Sequence, residues 1–332
     1  MKAFLTRLFQ GFTLTASEAE AAMDLMMAGH ARPEEIAAYL GALAARGETV
    51  AEIVGSVRSM RRQALPFPVK RRDLIDVCGT GGDGAETFNI STANALLLAA
   101  AGLGVVKHGN RAVSSLSGSA DVLEALGLNL EKSPEQVAQS VDQSGFGFLF
   151  APLFHPAMKH VAPTRKVLGV RTLFNLLGPL ANPAPVKRQV VGVFAEKWLE
   201  PVASSLLELG TEQALVVWGS DGLDEITLSG PTHAILVKDG RQQRLLLQPE
   251  DFGIAKAPLS ALKGGDKTRN AEIIIRILKG EEQGPARDIV LINAGAALCI
   301  AGLAEDWRSG AELAASVITS GASQRKLIEL QG

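Results

Sequence analysis

Residues 74–95 read LIDVCGTGGDGAETFNISTANA, and this stretch carries the clearest sign of the chain's architecture. Its first four residues are mostly apolar and predict a short buried strand. Four glycines follow within the six residues from Gly79 to Gly84 and predict a tight loop. The residues from Asn89 onward have the pattern of a first helical turn. A strand, a glycine-rich loop and a helix in this order indicate an α/β domain.

The seventy residues before this stretch have only helical patterns. Residues 15–18 and 49–52 both read Thr-x-x-Glu, which is the pattern of a capping box at a helix N-terminus, and apolar residues at helical spacing follow each of them. Gly47 is placed to end the helix between them. Residues 65–68, Leu-Pro-Phe-Pro, then predict a linker. The sequence therefore predicts a helical region ahead of the first strand.

Strands and helices alternate after the linker. Further strands are predicted at residues 104–106, 146–150, 190–194 and 215–218. Helical segments lie between several of them, and one begins at Ser133-Pro134 with a capping serine and a proline at the first helical position. This alternation is typical of an α/β domain with a largely parallel sheet. A chain of 332 residues is long enough for two domains.

The composition excludes several classes of protein. The 33 basic and 35 acidic residues give a net charge of -2 without a large field of one sign, so we expect no nucleic acid or membrane partner. The two cysteines, Cys78 and Cys299, form neither a disulfide framework nor a metal-ligand pattern, so we expect a cytoplasmic protein. The N-terminal residues lack the apolar core of a signal peptide, and no run reaches the roughly 18 apolar residues of a membrane span.

The glycine-rich loop predicts a binding site for phosphate. Its glycines fit the pattern G-x-G-x-x-G, but a dinucleotide site also needs an acidic residue about 20 residues further on, where this chain has Lys107 and His108. The Gly-Lys-Ser/Thr of a Walker A loop is missing too. Glycines let backbone N–H groups approach an anion, and the predicted helix N-terminus at residues 89–92 attracts phosphate. The alternative is a tight turn in which Asn89 or Ser91 only caps the helix.

A second polar segment follows the next predicted strand. It combines basic side chains and serines with few acids in Lys107, His108, Arg111, Ser114, Ser115, Ser117 and Ser119. The loops at the carboxyl ends of neighbouring strands in a parallel sheet face one crevice. We therefore predict that this segment and the glycine-rich loop bind two phosphate groups of one ligand.

Five motifs, in this order and at this spacing, resemble the anthranilate phosphoribosyltransferase family. They are GTGGD at 79–83, TFNIST at 87–92, KHGNR at 107–111, HPAMK at 155–159 and GLDE at 222–225, and RKVLGVRTLFNLLGP at 165–179 matches as well. The family joins the phosphoribosyl group of 5-phosphoribosyl 1-diphosphate (PRPP, the donor) to the amine of anthranilate (the acceptor) and releases diphosphate, a step of tryptophan synthesis. The resemblance implies this activity for the chain.

The resemblance also implies which residues bind the donor. They are Gly79, Gly82, Asp83, Thr87, Asn89, Ile90, Ser91, Thr92, Lys107, His108, Gly109, Asn110, Arg111, Ala112, Val113, Ser114, Ser115 and Ser119. Both segments that the residues alone mark as anion-binding are included in this set.

For the acceptor, the resemblance implies Gly79, Asn110 and Arg165. An arginine suits the carboxylate of anthranilate because its planar guanidinium donates two parallel hydrogen bonds. Arg171 is the rival for that role. The aromatic amine is neutral at physiological pH, so attack needs no strong general base, and His108 is only a candidate to accept or relay the proton late.

For the metal, the resemblance implies Mg²⁺, with two ions per subunit, held by Ser91, Asp224 and Glu225. Magnesium prefers oxygen ligands and binds through substrate phosphates with one or two protein carboxylates. The metal would stabilise the negative charge on departing diphosphate. We expect the Asp-Glu pair to lie in a loop outside the core.

The fold implied by the resemblance is a small all-helical N-terminal domain hinged to a large α/β domain with a largely parallel central sheet. The helical domain would comprise residues 1–70 with a second contribution from 163–183, and the α/β domain residues 71–332. Closure at the hinge would bring Arg165 toward the phosphate loops and exclude water. The resemblance also implies a homodimer formed through the helical domain.

Two alternatives stay open at this point. A pyrimidine nucleoside phosphorylase shares the architecture, but the Asp224-Glu225 pair and the Asn110-Arg111 pair count against it. A non-catalytic paralogue should show eroded metal ligands or a basic face, and the sequence has neither.

Overall fold

The computed structural model describes residues 1–112 and 116–332. The helices in these residues are α1 (Lys2–Phe9), α2 (Ala16–Met27), α3 (Pro33–Arg46), α4 (Val50–Gln63), α5 (Ile90–Ala100), α6 (Ser119–Ala125), α7 (Pro134–Ser144), α8 (Ala151–Phe154), α9 (Ala162–Leu168), α10 (Leu173–Leu180), α11 (Leu199–Glu208), α12 (Lys267–Leu278), α13 (Pro285–Ala301), α14 (Trp307–Thr319) and α15 (Ala322–Gln331). The strands are β1 (Leu74–Gly79), β2 (Gly104–Gly109), β3 (Phe146–Phe150), β4 (Arg188–Gly192), β5 (Gln213–Gly219), β6 (Thr232–Lys238) and β7 (Arg241–Leu247). None of these helices combines the length and apolar character needed to cross a bilayer.

The N-terminal helices begin and end where local side-chain chemistry predicts. Thr15 and Thr49 each accept a hydrogen bond from the backbone of the glutamate three residues on, and that glutamate bonds back, so both capping boxes are confirmed. Gly47 ends α3 with a φ of 93°, which favours glycine. Helices α2 and α4 then pack together around side chains such as Met23 and Ile53, which are fully buried.

The sheet has seven strands in the order β3-β2-β1-β4-β5-β6-β7. The first five are parallel, which confirms the predicted fold class, and β6 and β7 add an antiparallel edge. The sequence analysis missed these two edge strands. β7 reads RQQRLLL and exposes its first four residues, so it lacks the alternation of apolar and polar residues that marks a half-buried strand. Charged residues on an edge strand discourage pairing with another chain.

The order of the strands creates a crevice beside β1. The chain passes from β1 outward to β2 and β3, and then returns to the other side of β1 to form β4. Ligands of open α/β sheets bind outside the carboxyl ends of the strands at such a reversal. The glycine-rich loop begins at the carboxyl end of β1, so the topology puts it in this crevice.

The helical region and the sheet share an apolar core. Leu173 and Leu177 of α10 join Tyr39 and Leu40 of α3 in one buried cluster, and Val191 of β4 belongs to it too. The opposite face of the sheet packs against α5 and α13 in a second cluster. α9 and α10 therefore lie with the N-terminal helices, although the exact division of the chain at residues 70, 163 and 183 stays a prediction.

Candidate active site

The carboxyl ends of β1 and β4 hold Asp224 in place. Gly79 and Gly192 are paired at the last position of these strands, and Asp224, from the connection between β5 and β6, lies over both. A Cβ on Gly79 would come within 2.1 Å of the Asp224 Oδ2 atom, and one on Gly192 within 1.6 Å of its carbonyl oxygen. The backbone N–H of Gly81 donates to Asp224 Oδ2 at 2.7 Å. The two glycines are required because a side chain at either position would displace Asp224.

The prediction that the Asp224-Glu225 pair lies outside the core is wrong. Only 9% of Asp224 is exposed, and Glu225 is half-buried. The error has a physical cause: a charged pair in a loop is usually solvated, whereas this connection folds back over the sheet, where glycines leave room for it.

Burial and neighbouring carboxylates oppose the ionisation of Asp224 and Glu225 beside the glycine-rich loop. Burial and the nearby Asp83 carboxylate raise the pKa of Asp224. Burial and Asp224 likewise raise the pKa of Glu225, and the ammonium group of Lys107 opposes that rise only in part. Carboxyl groups this close in a poorly solvated place are stabilised either by keeping a proton or by a bound cation.

The oxygen donors of this cluster fit Mg²⁺. Ser91, Asp224 and Glu225 offer a hydroxyl and two carboxylates, which are hard ligands. No three His, Cys, Asp or Glu side chains within residues 1–112 and 116–332 converge as a complete metal site by themselves. Magnesium usually binds through one or two protein carboxylates, with substrate phosphates and water as its other ligands.

Lys107 supports the site from beneath. Its side chain is 1% exposed, and its Nζ donates to the Val77 carbonyl at 2.8 Å and to Ser91 Oγ at 3.1 Å. These bonds connect β2 with β1 and with the first turn of α5. Lys107 thus supplies positive charge close to Glu225 while it orients the Ser91 hydroxyl.

Asn89 stands at the N-cap of α5 but makes no side-chain hydrogen bond to its first turn, so the alternative in which Asn89 serves as the side-chain cap is wrong. The backbone of Ser91, in that turn, is hydrogen-bonded to Glu225. The Asn89 amide instead donates to the Ser117 carbonyl at 3.1 Å and accepts from Asn270 at 2.9 Å. Sequence reasoning missed Asn270, which lies about 180 residues away along the chain and stands in no motif. Ile90 and Thr92 are buried in the same turn.

The segment after β2 is organised by acids that the sequence analysis overlooked. Asp121 accepts from the N–H groups of Ala112 and Gly118 at 3.0 and 2.9 Å, so it joins the two sides of this loop. Arg111 pairs with Asp121 at 3.0 Å and also with Glu124. The expectation of few acids beside these basic residues is therefore wrong, because Asp121 and Glu124 of α6 fold back onto the loop.

The remaining predicted donor residues surround the same crevice. In the glycine-rich loop, Gly82 has a φ of 75° and Asp83 accepts from the N–H of Ala85. Thr87 forms an isolated bridge with Lys263. After β2, which ends at Gly109, Asn110 accepts from the N–H of Arg111, and Ser119 begins α6. Val113, Ser114 and Ser115 lie outside the described residues. The predicted donor set thus clusters at the carboxyl ends of β1 and β2, with Lys107 and Ile90 below the surface.

Arg165 and Arg171 occupy different environments. Arg165, in α9, is half-buried with its guanidinium 4.9 Å from the centre of the Phe174 ring, and no acidic side chain in the described parts of the chain pairs with it. Burial lowers its pKa. Arg171 lies over Phe194 at 4.5 Å and donates to the Gly82 carbonyl. Arg165 is therefore available to an anion, whereas Arg171 holds the glycine-rich loop.

His108 is a buried neutral imidazole. Burial, followed by the neighbouring His155, lowers its pKa to about 3, and burial lowers the pKa of His155 to about 4. The two rings meet edge to face with centres 5.2 Å apart. His108 Nδ1 lies 2.9 Å from the Gly178 carbonyl, which can only accept, so Nδ1 carries the proton. Nε2 is left with a lone pair and no partner among the described residues. Sequence reasoning gave no role to His155.

The chain matches two family models. The glycosyl transferase family α/β domain matches residues 71–324, and the glycosyl transferase family helical bundle domain matches residues 2–64. Together they cover most of the chain, which therefore belongs to this class of transferases. The enzyme class predicted from the sequence is confirmed.

Individual relatives narrow the class. Anthranilate phosphoribosyltransferase of Symbiobacterium thermophilum is 51% identical over 327 residues, which are 98% of this chain and 96% of the relative. The same enzyme of Afipia carboxidovorans is 50% identical over 329 residues, 99% and 97% of the two chains. The chain belongs to the anthranilate phosphoribosyltransferase family, as the five motifs predict.

Solved structures agree with this membership. The crystal structure of anthranilate phosphoribosyltransferase from Thermus thermophilus superposes with a TM-score of 0.94 at 47% identity and covers 98% of both chains. The enzyme from Saccharomyces cerevisiae in complex with PRPP and Mg superposes with a TM-score of 0.89 at 26% identity, covering 99% of this chain and 96% of that one.

Proposed function

We propose that this chain transfers the phosphoribosyl group of PRPP to the amine of anthranilate and releases diphosphate, as a step in tryptophan biosynthesis. The observation that carries the assignment is the cluster of Asp83, Asp224 and Glu225 against the glycine-rich loop. Mutually repelling carboxylates beside a loop that suits phosphate make sense where a metal-bound diphosphate fills the space between them.

The donor half of the reaction belongs to the crevice beside β1. Backbone N–H groups of the glycine-rich loop and the N-terminus of α5 would bind the phosphates. Ser91, Asp224 and Glu225 would hold Mg²⁺, and we propose two ions per subunit. Diphosphate would depart with the electron pair of the C1–O bond, and a bound Mg²⁺ would supply positive charge to stabilise it. The relative from S. cerevisiae, described in complex with PRPP and Mg, supports this proposal.

The acceptor half belongs to α9 and its neighbours. Arg165 has no acidic partner within the described residues, so its guanidinium is free to bind the carboxylate of anthranilate, with Gly79 and Asn110 nearby in the predicted set. The lone pair of the neutral amine then forms the bond to C1 as the C1–O bond breaks.

His108 suits the last proton transfer. The new arylammonium nitrogen is strongly acidic, so even a weak base such as His108, with its pKa lowered to about 3, can accept its proton. Nε2 is the atom with a free lone pair, because Nδ1 donates to Gly178. This role is that of a late acceptor and not of a base that activates the amine.

One assay tests the assignment. Anthranilate is fluorescent, and its consumption is followed with PRPP present, with and without Mg²⁺. Loss of fluorescence that needs both PRPP and Mg²⁺ is expected. Phosphorolysis of a pyrimidine nucleoside in its place would support the nucleoside phosphorylase alternative, and no turnover in either assay would leave the non-catalytic paralogue.

We further propose a homodimer formed through the helical region. Phe9 and Phe12, at the end of α1 and just after it, are 68% and 56% exposed, and such large apolar side chains suit an interface. We also propose that the protein works in the cytoplasm, since Cys78 and Cys299 are both free thiols.

A further inference from the structure

The chain that follows α10 offers few backbone N–H groups to the last carbonyls of this helix. The carbonyls of the last helical residues normally need partners from outside the helix. Here the chain continues as Ala181-Asn182-Pro183-Ala184-Pro185, and the two prolines have no N–H group to offer. The N–H of Ala181 closes the last helical bond, to Leu177. The carbonyls from Gly178 to Leu180 must therefore find donors elsewhere.

Three side chains from three different elements supply them. His108 of β2 donates through Nδ1 to the Gly178 carbonyl at 2.9 Å. Gln189 of β4 donates through Nε2 to the Pro179 carbonyl at 2.9 Å. Arg61 of α4 donates through Nε to the Leu180 carbonyl at 2.8 Å. The end of α10 is thus fixed to two strands of the sheet and to the helical region.

Gln189 is an unusual residue for its position. Alternate residues of a strand face the same side, and Val191 and Val193 on this side pack into the apolar core shared with the helices. Gln189 is fully buried beside them. An apolar residue would fill this position without a desolvation cost. The buried amide therefore indicates that a directional hydrogen bond is needed here, which apolar packing cannot provide.

α10 contacts both of the groups that we propose to act on anthranilate, Arg165 and His108. Phe174, near its start, lies under the Arg165 guanidinium at 4.9 Å. Gly178, near its end, fixes the ring orientation and tautomer of His108. A displacement of α10 by a fraction of an ångström would therefore move Arg165 and rotate His108 together. Arg171, just before α10, also reaches the glycine-rich loop of the donor site, but the Gly81 N–H ties that loop to Asp224 as well, so the loop should depend on α10 less than Arg165 and His108 do.

We infer that Gln189 is a positioning residue for the acceptor half of the reaction: by donating to the Pro179 carbonyl it holds α10 where Arg165 and His108 meet anthranilate. The inference rests on the proposed function. Asn182 adds a second attachment, since its amide donates to Asp76 Oδ2 and to the Val106 carbonyl, both at 2.8 Å. Gln189 is the better residue to test, because Asp76 also contacts the backbone of His108 at 3.4 Å, beside the donor site.

The test replaces Gln189 by Leu, which keeps the volume and suits the apolar face but removes the donor. A buried carbonyl left without its partner should raise KM for anthranilate about tenfold, because α10 shifts to find another donor. KM for PRPP should stay within about twofold. Gln189→Met keeps the length of the side chain and also lacks a donor, so it should give the same selective rise even if Gln189→Leu folds poorly.

Ser323→Ala is the matched control. The Ser323 hydroxyl is buried and donates at 2.6 Å to the carbonyl of Leu278, the last residue of α12, so it too fixes a helix end. Its removal should lower the melting temperature and leave both KM values unchanged. Calorimetric titration of each folded variant with anthranilate alone, and with PRPP alone, provides a readout without turnover.

The possible results are distinct. A selective loss of anthranilate affinity in both Gln189 variants supports the inference. Equal changes in affinity for anthranilate and PRPP overturn the inference, and so do changes no larger than those of Ser323→Ala. Neither result affects the proposed function if the wild-type protein transfers the phosphoribosyl group to anthranilate. A wild-type protein that transfers nothing to anthranilate overturns the proposed function, and this inference with it.

Discussion

At the scale of single residues, environment decides role more than residue type does. Arg111, Arg165 and Arg171 are all arginines near the crevice, yet Arg111 is paired with two acids and Arg171 donates to the backbone of the glycine-rich loop. Arg165 alone among these three has neither kind of partner in the described residues. A guanidinium that is half-buried and uncommitted is the one able to bind a substrate carboxylate.

This difference predicts that substitution of Arg165 and of Arg171 weakens the binding of different substrates. Arg165→Ala should raise KM for anthranilate roughly thirtyfold, which is about 2 kcal/mol and at the lower end for a lost charge pair because Arg165 is half-exposed. Arg171→Ala should raise KM for PRPP, because it releases the Gly82 carbonyl and with it the glycine-rich loop. Steady-state kinetics with each substrate varied in turn checks both. If the two effects were exchanged, Arg171 would be the carboxylate clamp.

At the scale of elements, hydrogen bonds fix the backbone of the connection between β5 and β6. Asn293, buried in α13, accepts from the N–H of Ile226 at 2.8 Å and donates to its carbonyl at 2.9 Å. At the other side of the pair, Asp221 accepts from the Thr227 and Ser229 hydroxyls. These bonds fix the backbone on both sides of Asp224 and Glu225, which keeps the two carboxylates close despite their repulsion.

Asn293 therefore controls the position of the carboxylate pair. Asn293→Leu should leave the N–H and carbonyl of Ile226 without partners, which costs about 2 to 4 kcal/mol of unfolding free energy. The Mg²⁺ concentration at half-maximal rate should rise several-fold. Ser56→Ala removes a buried hydrogen bond inside α4, to the Glu52 carbonyl at 2.7 Å, and should leave the Mg²⁺ requirement unchanged. Denaturant unfolding and a Mg²⁺ titration of the rate measure the two effects, and an unaltered titration in Asn293→Leu would contradict this role.

The elements that sequence predicts well are those specified by local chemistry. The capping boxes at Thr15 and Thr49 and the cap at Ser133 need only residues three positions apart, and all three helices begin as predicted. β6 and β7 depend on pairing across the sheet, and the polar sequence of β7 gives no local sign of it. The site follows the same division. Its motifs are visible in the sequence, but the burial of Asp224 and the contact of Asn270 with Asn89 arise only from tertiary packing.

At the scale of the whole molecule, burial favours the neutral form of several ionisable groups. Burial lowers the pKa of His108 to about 3 and that of His155 to about 4, whereas burial and neighbouring carboxylates raise the pKa values of Asp224 and Glu225. The two pairs act on stability with opposite signs. Neutral histidines in the fold add stability as pH rises, up to the ordinary histidine pKa of about 6.5, and contribute nothing further above it.

The carboxyl pair behaves in the reverse way. A carboxyl group whose pKa is raised by folding keeps its proton in the folded state after the unfolded chain has lost its own, so its contribution is fully present at acid pH and is lost as pH rises through the raised pKa. Above about pH 6.5 the histidines no longer change, and this loss should dominate up to about pH 8. The metal-free protein should therefore lose of the order of 1 kcal/mol of unfolding free energy between these values.

Magnesium should abolish the loss, because a bound cation makes the ionised pair the favoured form in the folded state. Melting temperatures measured from pH 6.5 to 8, with EDTA and with Mg²⁺, test this directly. Asp224→Asn and Glu225→Gln remove one charge each and should flatten the EDTA curve without a further effect of Mg²⁺. The fold should survive both substitutions, since each relieves a repulsion, but Mg²⁺-dependent transfer should fall. A wild-type curve in EDTA that is level or rises over this range would show that the pair is already ionised and compensated within the protein, and the metal would then have to be held by other groups.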